Sequence, residues 1–487
     1  MKLDIIEKNI EYADVFEVYK SIIENNTQAL LMESRTKNLA YGKQSIIATG
    51  LALKISGKND YFKIEALNEQ GVNLLKEFSK EDFQFASECR QKSDCLEGCV
   101  SKIYLPGATE DERIKLSGQA RFLKSVMKKF ESDNEYAGLY GAVAYDFARN
   151  FEDIGEIHEK EEGNDYTLFL PAEIYVFDDI KEKAIKHELQ IRGSKIPFKE
   201  NASSPTYGSG KTELELCLTD KEYIEKVSFL VDEIKKGRFM QCVLSRSVSM
   251  RLVEPILHSY SKIRERNPSP YNFFFDLGDS EFLYGASPEI HAVVEDGNLT
   301  IRPLAGTIRR SSNAYDDAMR RIRLLTDKKE ISEHSMLVDL ARNEVYRLCE
   351  PESVKVEDMY TIEAYPNLYH LASGVKGRLK EGFDSIDVLL TTIPAGTLSG
   401  APKKEAMKAI EQLETHRRGY YGGLVGYLSF NDNMNTGITI RSVHVKNNNS
   451  LVQSGAGIVK NSDPYKELEE IILKSSKQLE AIGGRLK

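Results

Sequence analysis

The sequence contains no tryptophan among its 487 residues, although it has 24 Tyr and 20 Phe. It also lacks any run approaching the roughly 20 apolar residues that a membrane-spanning helix needs. Its first residues mix charges with apolar positions and form no signal-peptide core. We therefore expect a cytoplasmic protein with no membrane partner, and these absences leave its activity open.

Positive charge is also scarce, because 66 Lys+Arg face 75 Asp+Glu and give a formal net charge of −9. No dense Lys/Arg block stands out from this acidic background, which argues against a nucleic-acid partner. Hydrophobic residues make up 41% and charged residues 29% of the chain, the proportions of an ordinary globular protein. The length allows roughly two to four domains or one large composite core.

Cysteine is too sparse for a disulfide framework, since the chain has only 6. Three of them, Cys89, Cys95 and Cys99, lie close together in the sequence. However, no CxxC pair occurs, and the only fourth ligand nearby would be an acidic side chain. We interpret these cysteines as structural or surface thiols rather than metal ligands.

Residues 194–215 form the least patterned stretch, rich in Ser, Pro, Gly, Lys and Glu, and we predict a linker there. The stretch contains GSGKT, the end of a phosphate-binding loop motif. Pro205 stands where the first glycine of that motif should be, and no apolar strand leads in, so we reject a nucleotide site. The linker divides the chain into an N-terminal region, residues 1–193, and a C-terminal region, residues 216–487.

Short alternating or apolar segments predict strands in both regions, and evident hairpin turns join several of the later ones. The predicted strands are 29–32, 45–55, 61–67, 140–147, 173–177, 241–250, 271–277, 281–285, 290–294, 299–303, 424–430, 437–445 and 451–459. The predicted helices are 111–130, 219–236, 314–325, 328–348, 401–414 and 464–482. Because hairpin-joined strands with helices in separate blocks are typical of α+β proteins, we predict that class rather than an alternating parallel sheet.

Two predicted helices each place a pair of glutamates on one face. Glu330 and Glu333 lie three residues apart in one helix, and Glu467 and Glu470 have the same spacing in the last. Two pairs of carboxylates could hold a hard divalent cation, which prefers oxygen ligands. Exposed helices often carry Glu at this spacing, so neither pair alone establishes a metal site.

Several other positions could contact an anionic ligand. Residues 452–459, VQSGAGIV, could bring backbone amides close to an anion, although a plain glycine-rich turn would look the same. Gly306 and Thr307 follow a predicted strand and could do likewise. Arg441 lies in a predicted strand that otherwise reads apolar, so it needs an anionic partner, which a structural ion pair would also provide. His370 is a lone histidine in an apolar setting, where a hydrogen-bonded core residue is the more common explanation.

Together these segments resemble the chorismate-utilising enzymes, most closely the anthranilate synthase component I family. The matching segments occur in order: ASPE (286–289), PLAGT (303–307), KEISEHSMLVDLARNE (329–344), GTLSGAPK (396–403), RRGYYGGLVGY (417–427), TGITIRS (436–442) and QSGAGIV (453–459). Weaker matches are LLMES (30–34) and GLYGAVAYDF (138–147). The resemblance implies a large core of packed sheets flanked by helices, to which the N-terminal region adds a further layer.

The resemblance also implies a site for chorismate and Mg²⁺. Glu330, Glu333, Glu467 and Glu470 would surround the metal ion at one carboxylate of the substrate. The implied substrate-binding residues are Gly306, Tyr427, Arg441, Gly455, Ala456, Gly457 and Lys474. The implied catalytic residues are Glu289, His370, Thr307 and Gln241.

Two positions imply that ammonia is the nucleophile. Members of the family that add water carry a lysine where this sequence has Gln241, and members that form a lysine adduct carry it where this sequence has Ala305. Glu289 matches the general acid that protonates the leaving C4 hydroxyl. His370 matches the histidine linked to pyruvate elimination, so the implied product is anthranilate.

The resemblance further implies partners. Because we find no glutaminase motif in the chain, we expect a separate glutamine amidotransferase subunit to supply ammonia within a hetero-oligomer. Tryptophan would act as an inhibitor at a site formed by Glu33, Ser34, Pro268, Ser269, Pro270 and Tyr271. Two other hypotheses remain open: an enzyme that stops at 2-amino-2-deoxyisochorismate, and a catalytically silent tryptophan-binding relative.

Overall fold

The computed structural model describes residues 1–25, 27–36, 44–101, 107, 109–159, 163–190, 214–365 and 368–486. The predicted linker and its GSGKT segment lie outside these ranges, except for Leu214 and Glu215. Within the described residues the chain forms 11 α-helices and 23 strands, which confirms the predicted α+β class. None of the helices in these ranges is both long enough and apolar enough to cross a membrane.

The strands, numbered in chain order, are β1 (Asp4–Ile10), β2 (Ala29–Glu33), β3 (Gln44–Lys58), β4 (Tyr61–Ala66), β5 (Ala86–Gln91), β6 (Cys95–Val100), β7 (Gly138–Val143), β8 (Tyr166–Asp178), β9 (Lys183–Gln190), β10 (Glu215–Leu216), β11 (Gln241–Arg251), β12 (Tyr271–Gly278), β13 (Glu281–Ser287), β14 (Ile290–Glu295), β15 (Asn298–Ile301), β16 (Leu304–Arg309), β17 (Lys355–Ala364), β18 (Leu368–Arg378), β19 (Gly400–Ala401), β20 (Leu424–Ser429), β21 (Met434–Ile438), β22 (Ser442–Lys446) and β23 (Asn449–Ile458).

The helices are α1 (Val15–Glu24), α2 (Glu69–Leu75), α3 (Glu110–Leu116), α4 (Gly118–Lys129), α5 (Asp220–Lys235), α6 (Ile256–Arg266), α7 (Ala314–Thr326), α8 (Lys328–Leu348), α9 (Ser385–Thr392), α10 (Lys403–Leu413) and α11 (Pro464–Ala481). Short 3₁₀ turns occupy Lys80–Phe83, Tyr145–Asn150, Pro351–Ser353 and Gly396–Leu398.

Two antiparallel sheets share the long strands β3 and β8. The first sheet runs β1-β9-β8-β3-β2-β12-β13-β22-β23-β11, with the short strands β10 and β19 on the far edge of β11. The second runs β5-β6-β4-β3-β8-β7-β20-β21-β14-β15-β18, and β18 also pairs with β16 and β17. The β3–β8 ladder is irregular between Leu51 and Leu53, next to Gly50 with a φ of 61°. Each long strand therefore bends from one sheet into the other.

The two sheets pack face to face around an apolar layer. This layer combines Phe273, Phe275 and Leu283 of the first sheet with Tyr140 and Val425 of the second. Helices cover the outer faces, because α1 and α6 pack on the first sheet and α4, α8 and α9 pack on the second. The resulting arrangement confirms the packed sheets flanked by helices that the resemblance implied.

Strands from both ends of the sequence build each sheet. In the N-terminal region, β2 pairs with β12 and β7 pairs with β20, both of which belong to residues 216–487. The boundaries at 193 and 216 stay a prediction. All six cysteines are free, and Cys89, Cys95 and Cys99 lie on the neighbouring strands β5 and β6.

Two predictions of single elements were wrong, because the chain breaks within a segment whose sequence pattern is continuous. The predicted helix 111–130 is two helices, because the Ser117 hydroxyl accepts a hydrogen bond from the amide of Ala120 and starts α4. The predicted strand 437–445 is also two strands, separated at Thr439–Arg441. Gly306 and Thr307 do follow the predicted strand, now β15, but they lie in a further strand, β16, that was not predicted.

Candidate active site

Glu289 and Arg441 lie where the chain crosses between the two sheets. Glu289 connects β13 of the first sheet to β14 of the second, and Arg441 connects β21 of the second sheet to β22 of the first. The crossings are hydrogen-bonded to each other, since the amide of Ile438 donates to Glu289 O (3.0 Å) and the amide of Ala286 donates to Arg441 O (3.2 Å). The fold therefore brings together a carboxyl group and a guanidinium group that are 152 residues apart in sequence.

The Glu289 carboxyl is partly buried, and one neutral donor from the described part of the chain hydrogen-bonds to it. Thr397 Oγ1 donates to Glu289 Oε2 at 3.0 Å. Glu289 also lines a cavity whose walls include Ile290, Ile301 and Leu337. Burial raises the pKa of Glu289, although the Thr397 hydrogen bond and the charges of Lys474 and Arg441 oppose the shift. A raised pKa favours the protonated carboxyl group, which is the form that can donate a proton.

Arg441 has a left-handed backbone with a φ of 51°, which breaks the predicted strand. Its Nη1 donates to Lys474 O at 3.2 Å, and its own carbonyl accepts from Gln478 Nε2 at 3.1 Å. Burial lowers the pKa of Arg441, with the charges of Tyr421 and Glu289 opposing. Lys474 Nζ donates to Gly455 O at 3.0 Å and pairs with Glu470 at 2.6 Å. Two cationic groups thus converge beside β23.

The segment Gly455–Gly457 lies inside strand β23 and is not the turn that the sequence allowed. Its residues pair with β11 on one edge, while the ladder to β22 on the other edge ends at Val452. A Cβ atom at Gly455 would lie 2.9 Å from the Tyr421 hydroxyl, so glycine is needed for this approach. The second edge of β23 therefore offers backbone groups next to Arg441 and Lys474.

Gln241 begins β11 and faces Gly457. A Cβ atom at Gly457 would lie 2.6 Å from Gln241 Nε2. Gln241 is only 7% exposed, and its Oε1 finds no hydrogen-bond partner among the described residues. A buried acceptor without a donor is costly unless a ligand satisfies it.

Thr307 and His370 pair across the β16–β18 ladder, at a bulge produced by Gly306 with a φ of 73°. Thr307 Oγ1 lies 2.9 Å from His370 Nδ1. Burial lowers the pKa of His370 to about 4, and the charge of Arg441 acts in the same direction. The imidazole is therefore neutral near physiological pH and can accept a proton.

The four glutamates of the predicted metal site project from α8 and α11. A Cβ atom at Gly306 would lie 3.2 Å from Glu330 Oε2, which places Glu330 beside the bulge. Burial raises the pKa of Glu330 and Glu467, and it raises the pKa of Glu333 to about 7. The charge of Glu470 contributes to the rise at Glu330, so the two helices affect each other. Burial acts to raise the pKa of Glu470 too, but Lys474 lowers it overall.

The donor chemistry of these glutamates fits a hard cation. Glu333 Oε1 is buried without a hydrogen-bond partner among the described residues, and Lys329 lies 3.6 Å from the same atom. In the described ranges no three carboxylate, histidine or cysteine side chains converge closely enough to hold a metal ion. The four carboxylates therefore lie close enough to shift each other's pKa values, but their side chains do not converge on one point as the ligands of a bound metal ion do.

Tyr427 lies away from this group of residues, contrary to the role that the resemblance implied. Its ring stacks on Tyr140 with centroids 5.1 Å apart, and it packs against the apolar layer between the sheets. Tyr421 stands beside Gly455 instead, and burial raises the pKa of its hydroxyl. Both tyrosines belong to the segment 417–427. Tyr427 lies within strand β20, whereas Tyr421 precedes that strand, and this difference places their side chains in different surroundings.

The two segments of the predicted tryptophan site also meet. β2 pairs with β12, and the amide of Arg35 donates to Ser269 O at 3.0 Å. Glu33 is held by Arg264, whose Nε lies 2.8 Å from both carboxylate oxygens. Ser34 Oγ is buried and finds no partner in the described part of the chain.

The remaining predicted members of this site line the same junction. The amide of Ser269 donates to Asn272 Oδ1 at 2.9 Å, which fixes the turn that contains Pro268 and Pro270. Tyr271 begins β12 and donates its hydroxyl to Asn435. The structure thus brings the two segments together at one junction.

Sequence reasoning missed two residues of the site, Thr397 and Tyr421. Both lie in segments that had been singled out, GTLSGAPK and RRGYYGGLVGY. Those segments contain several hydroxyl-bearing and small residues, and their pattern does not indicate which side chain faces Glu289 or Gly455. The path of the backbone decides which of these side chains lies beside Glu289 or Gly455.

Comparison with known proteins matches residues 84–480 to the family described as chorismate binding enzyme. Anthranilate synthase component 1 of Aquifex aeolicus (strain VF5) is 35% identical over 476 residues, covering 96% of this chain and 91% of its own length. The crystal structure of anthranilate synthase component I from Streptococcus pneumoniae TIGR4 superposes with a TM-score of 0.67 at 28% identity, covering 91% of this chain and 93% of that one. The menaquinone-specific isochorismate synthase of Escherichia coli superposes with a TM-score of 0.68 at 15% identity over 99% of this chain and 94% of that one. This last likeness shows the fold alone.

Proposed function

The chain belongs to the family of chorismate binding enzymes, and from this premise we propose that it is a Mg²⁺-dependent anthranilate synthase aminase, at the entry to tryptophan biosynthesis. It would convert chorismate and ammonia to anthranilate, pyruvate and water. The choice of ammonia rests on the environment of Gln241, which stands where water-adding relatives have a lysine base. Gln241 is a buried neutral amide, and its Oε1 accepts no hydrogen bond from the described residues. An acceptor oxygen can orient the N–H groups of ammonia, whereas an amide cannot deprotonate water.

Chorismate is a dianion, so its binding depends on local cations and amides in a protein of net negative charge. Arg441 and Lys474 would hold its carboxylates together with the free edge of β23 at Gly455–Gly457. The Tyr421 hydroxyl, which burial keeps protonated, would donate a further hydrogen bond. Gly306 would let the backbone of β16 approach the substrate.

The amination step needs a proton donor at the C4 hydroxyl. Ammonia forms a bond to C2 while the C4–O bond breaks, and the hydroxyl leaves as water once Glu289 protonates it. Thr397 hydrogen-bonds to Oε2, and no hydrogen bond from the described residues occupies Oε1, so Oε1 would carry that proton. Burial favours the protonated carboxyl group at the start of the reaction.

The second step eliminates the enolpyruvyl group as pyruvate and produces the aromatic ring. His370 is neutral near physiological pH because its pKa is lowered to about 4, so it can assist this proton transfer. Thr307 orients the ring through Nδ1. Both side chains belong to paired strands, which holds them in a defined position.

Glu330, Glu333, Glu467 and Glu470 would hold Mg²⁺, with water molecules completing its coordination. When bound, the ion would offset carboxylate charge on the protein and on the substrate. Two observations support this assignment: the raised pKa values of Glu330, Glu333 and Glu467, and the buried Oε1 of Glu333, which accepts no hydrogen bond from the described residues. Ammonia would come from a glutamine amidotransferase partner subunit, with tryptophan as an inhibitor at the Ser34–Ser269 junction.

One assay tests the proposed function. The purified chain is incubated with chorismate, Mg²⁺ and ammonium at alkaline pH, and anthranilate fluorescence is followed together with product mass. Anthranilate supports the proposal, whereas a non-fluorescent aminated product indicates an enzyme that stops at 2-amino-2-deoxyisochorismate. Unchanged chorismate would refute both and favour a silent relative.

Two variants test individual residues in the same assay. Gln241→Leu keeps the side-chain volume but removes the acceptor, so the KM for ammonium should rise while chorismate binding persists. His370→Met should release the aminated intermediate in place of anthranilate. An unaltered ammonium dependence in Gln241→Leu would exclude Gln241 from the mechanism, and an unaltered product in His370→Met would exclude His370.

A further inference from the structure

Helix α7 turns its apolar face to solvent. Tyr315, Ala318, Met319, Ile322 and Leu325 recur at helical spacing and form one stripe, which we call the α7 face. Tyr315 is 73%, Met319 46%, Ile322 53% and Leu325 43% exposed. Leu324 is the only buried residue of the helix. An amphipathic helix normally buries such a stripe, and contiguous exposed apolar surface marks an interaction site.

The opposite, partly polar side of α7 attaches the helix to the second sheet. Leu324 packs with Tyr369 and Leu371 of β18. The hydroxyl of Tyr369 donates to Asp317 at 2.6 Å, and Arg320 Nη1 donates to the carbonyls of Arg309 and Arg310 at 2.9 and 3.0 Å. These contacts fix the orientation of the helix. Because they all lie on its other side, the α7 face is left exposed to solvent.

Unpaired positive charge surrounds this face. Arg309, Arg321, Arg323 and Lys328 are exposed and form no ion pair within the described ranges. Asp316 is exposed nearby, and Asp317 is occupied by Tyr369 and Arg310. Local positive charge on a chain with a net charge of −9 favours a partner with an acidic rim.

The α7 face lies outside the strands that carry Thr307 and His370. α7 packs on β16 and β18, and it contacts α8, which carries Glu330 and Glu333. Ammonia released into water becomes mostly ammonium, which is not a nucleophile. A subunit that produces ammonia for this reaction therefore has to dock close to these elements.

We propose that the α7 face is the docking surface for the glutamine amidotransferase subunit, which would present an apolar pocket with an acidic rim. The proposal rests on the proposed function, because only an ammonia-using enzyme needs that partner. Four large apolar side chains suit the centre of an interface that buries roughly 800 Å² per partner, with the cations at its rim.

The test uses two arginine substitutions with the same starting exposure. Met319→Arg changes the α7 face, and Phe229→Arg on α5 is the matched control, since Phe229 is also 46% exposed. Each full-length variant is mixed with the purified amidotransferase subunit of the same organism, and complex formation is measured by sedimentation. Ammonium-dependent and glutamine-dependent turnover are measured in parallel.

We expect Met319→Arg to weaken the complex at least tenfold and to lose glutamine-dependent turnover, while its ammonium-dependent turnover and melting temperature match the wild type. Phe229→Arg should behave as the wild type throughout. Undiminished binding by Met319→Arg, or no binding by the wild type, would overturn the proposal. A wild-type homodimer that Met319→Arg dissociates, with amidotransferase binding intact, would assign the α7 face to a second copy of the chain.

The same measurements would distinguish a failure of the proposed function from a failure of the docking proposal. In that case the wild type would not convert chorismate even with ammonium, whatever the sedimentation measurement gave. Loss of docking alone would leave ammonium-dependent turnover intact.

Discussion

Glu414 and Glu289 are both shielded carboxylates, yet their surroundings differ. Glu414 accepts hydrogen bonds from Arg418 Nε and Nη2 at 2.9 and 2.6 Å, and from the amide and hydroxyl of Ser245 at 2.8 and 2.6 Å. Among the described residues, Glu289 has a single side-chain donor, the hydroxyl of Thr397. Glu33 resembles Glu414, because Arg264 neutralises it.

The difference separates carboxylates that hold the fold together from carboxylates available for chemistry. A buried charge with a bidentate arginine is satisfied, and removing its partner is costly. A carboxyl group without such a partner has a raised pKa and can exchange a proton or bind a cation. Glu289, Glu330 and Glu333 belong to this second group.

The largest effect should come from Glu289→Gln. The amide keeps the shape and can still accept from Thr397, but it cannot donate a proton to the leaving hydroxyl. We expect turnover to fall by roughly 10²–10⁴-fold, with little change in the melting temperature. Steady-state kinetics with ammonium and thermal unfolding check this, and a loss of less than tenfold would show that another group supplies the proton.

Arg418→Met should affect stability instead. It leaves the Glu414 carboxylate buried without its cation, and Arg418 is itself only 3% exposed. We expect the free energy of unfolding to fall by roughly 3–5 kcal/mol, measured by urea denaturation. Arg342→Met is the control, because its pair with Asp339 is 56% and 58% exposed and should contribute at most about 1 kcal/mol. Equal losses in both variants would contradict the contrast.

Glu333→Gln should abolish stabilisation by Mg²⁺. At a Mg²⁺ concentration of about 100 times its Kd, the wild type should gain about 2.7 kcal/mol. Glu333→Gln should gain almost nothing, while Glu469→Gln, an exposed residue on α11, should gain as much as the wild type. Thermal unfolding with and without Mg²⁺ measures this independently of turnover. An unchanged Mg²⁺ effect in Glu333→Gln would exclude Glu333 as a ligand.

The smallest effect concerns His291, a buried base on the wall of the same cavity as Glu289. Burial lowers its pKa to about 3. Below the unfolded-state pKa of about 6.5 the unfolded chain binds a proton that the folded chain does not, so stability falls as the pH drops from about 6.5 towards about 3. His291 should contribute roughly 2 kcal/mol of the loss between pH 7 and pH 5.

Urea unfolding at both pH values should therefore show a smaller acid loss for His291→Gln than for the wild type. His258→Gln is the control, because His258 is 59% exposed. An identical pH dependence in His291→Gln and the wild type would contradict a buried, neutral His291.

Sequence periodicity and capping residues predicted those helices and strands whose signals lie within their own segment. The range of α8 matches its prediction because the 3.6-residue period and the N-cap Asp327 are both local. The strands β16 and β18 were not predicted as elements, although both carry site residues. β17, which pairs with β18, is almost entirely exposed and has no alternation of apolar and polar residues that could identify it.

The fold class, the most strongly patterned helices and strands, and the residue types available for chemistry could be predicted from the sequence, because these depend on periodicity and motif composition. Tertiary structure decided which residues meet. The crossings between the sheets at Glu289 and Arg441, the choice of Tyr421 over Tyr427, and the exposure of the α7 face all depend on strand pairing between distant segments. Such pairing is set by burial of the whole core, which no local window of sequence contains.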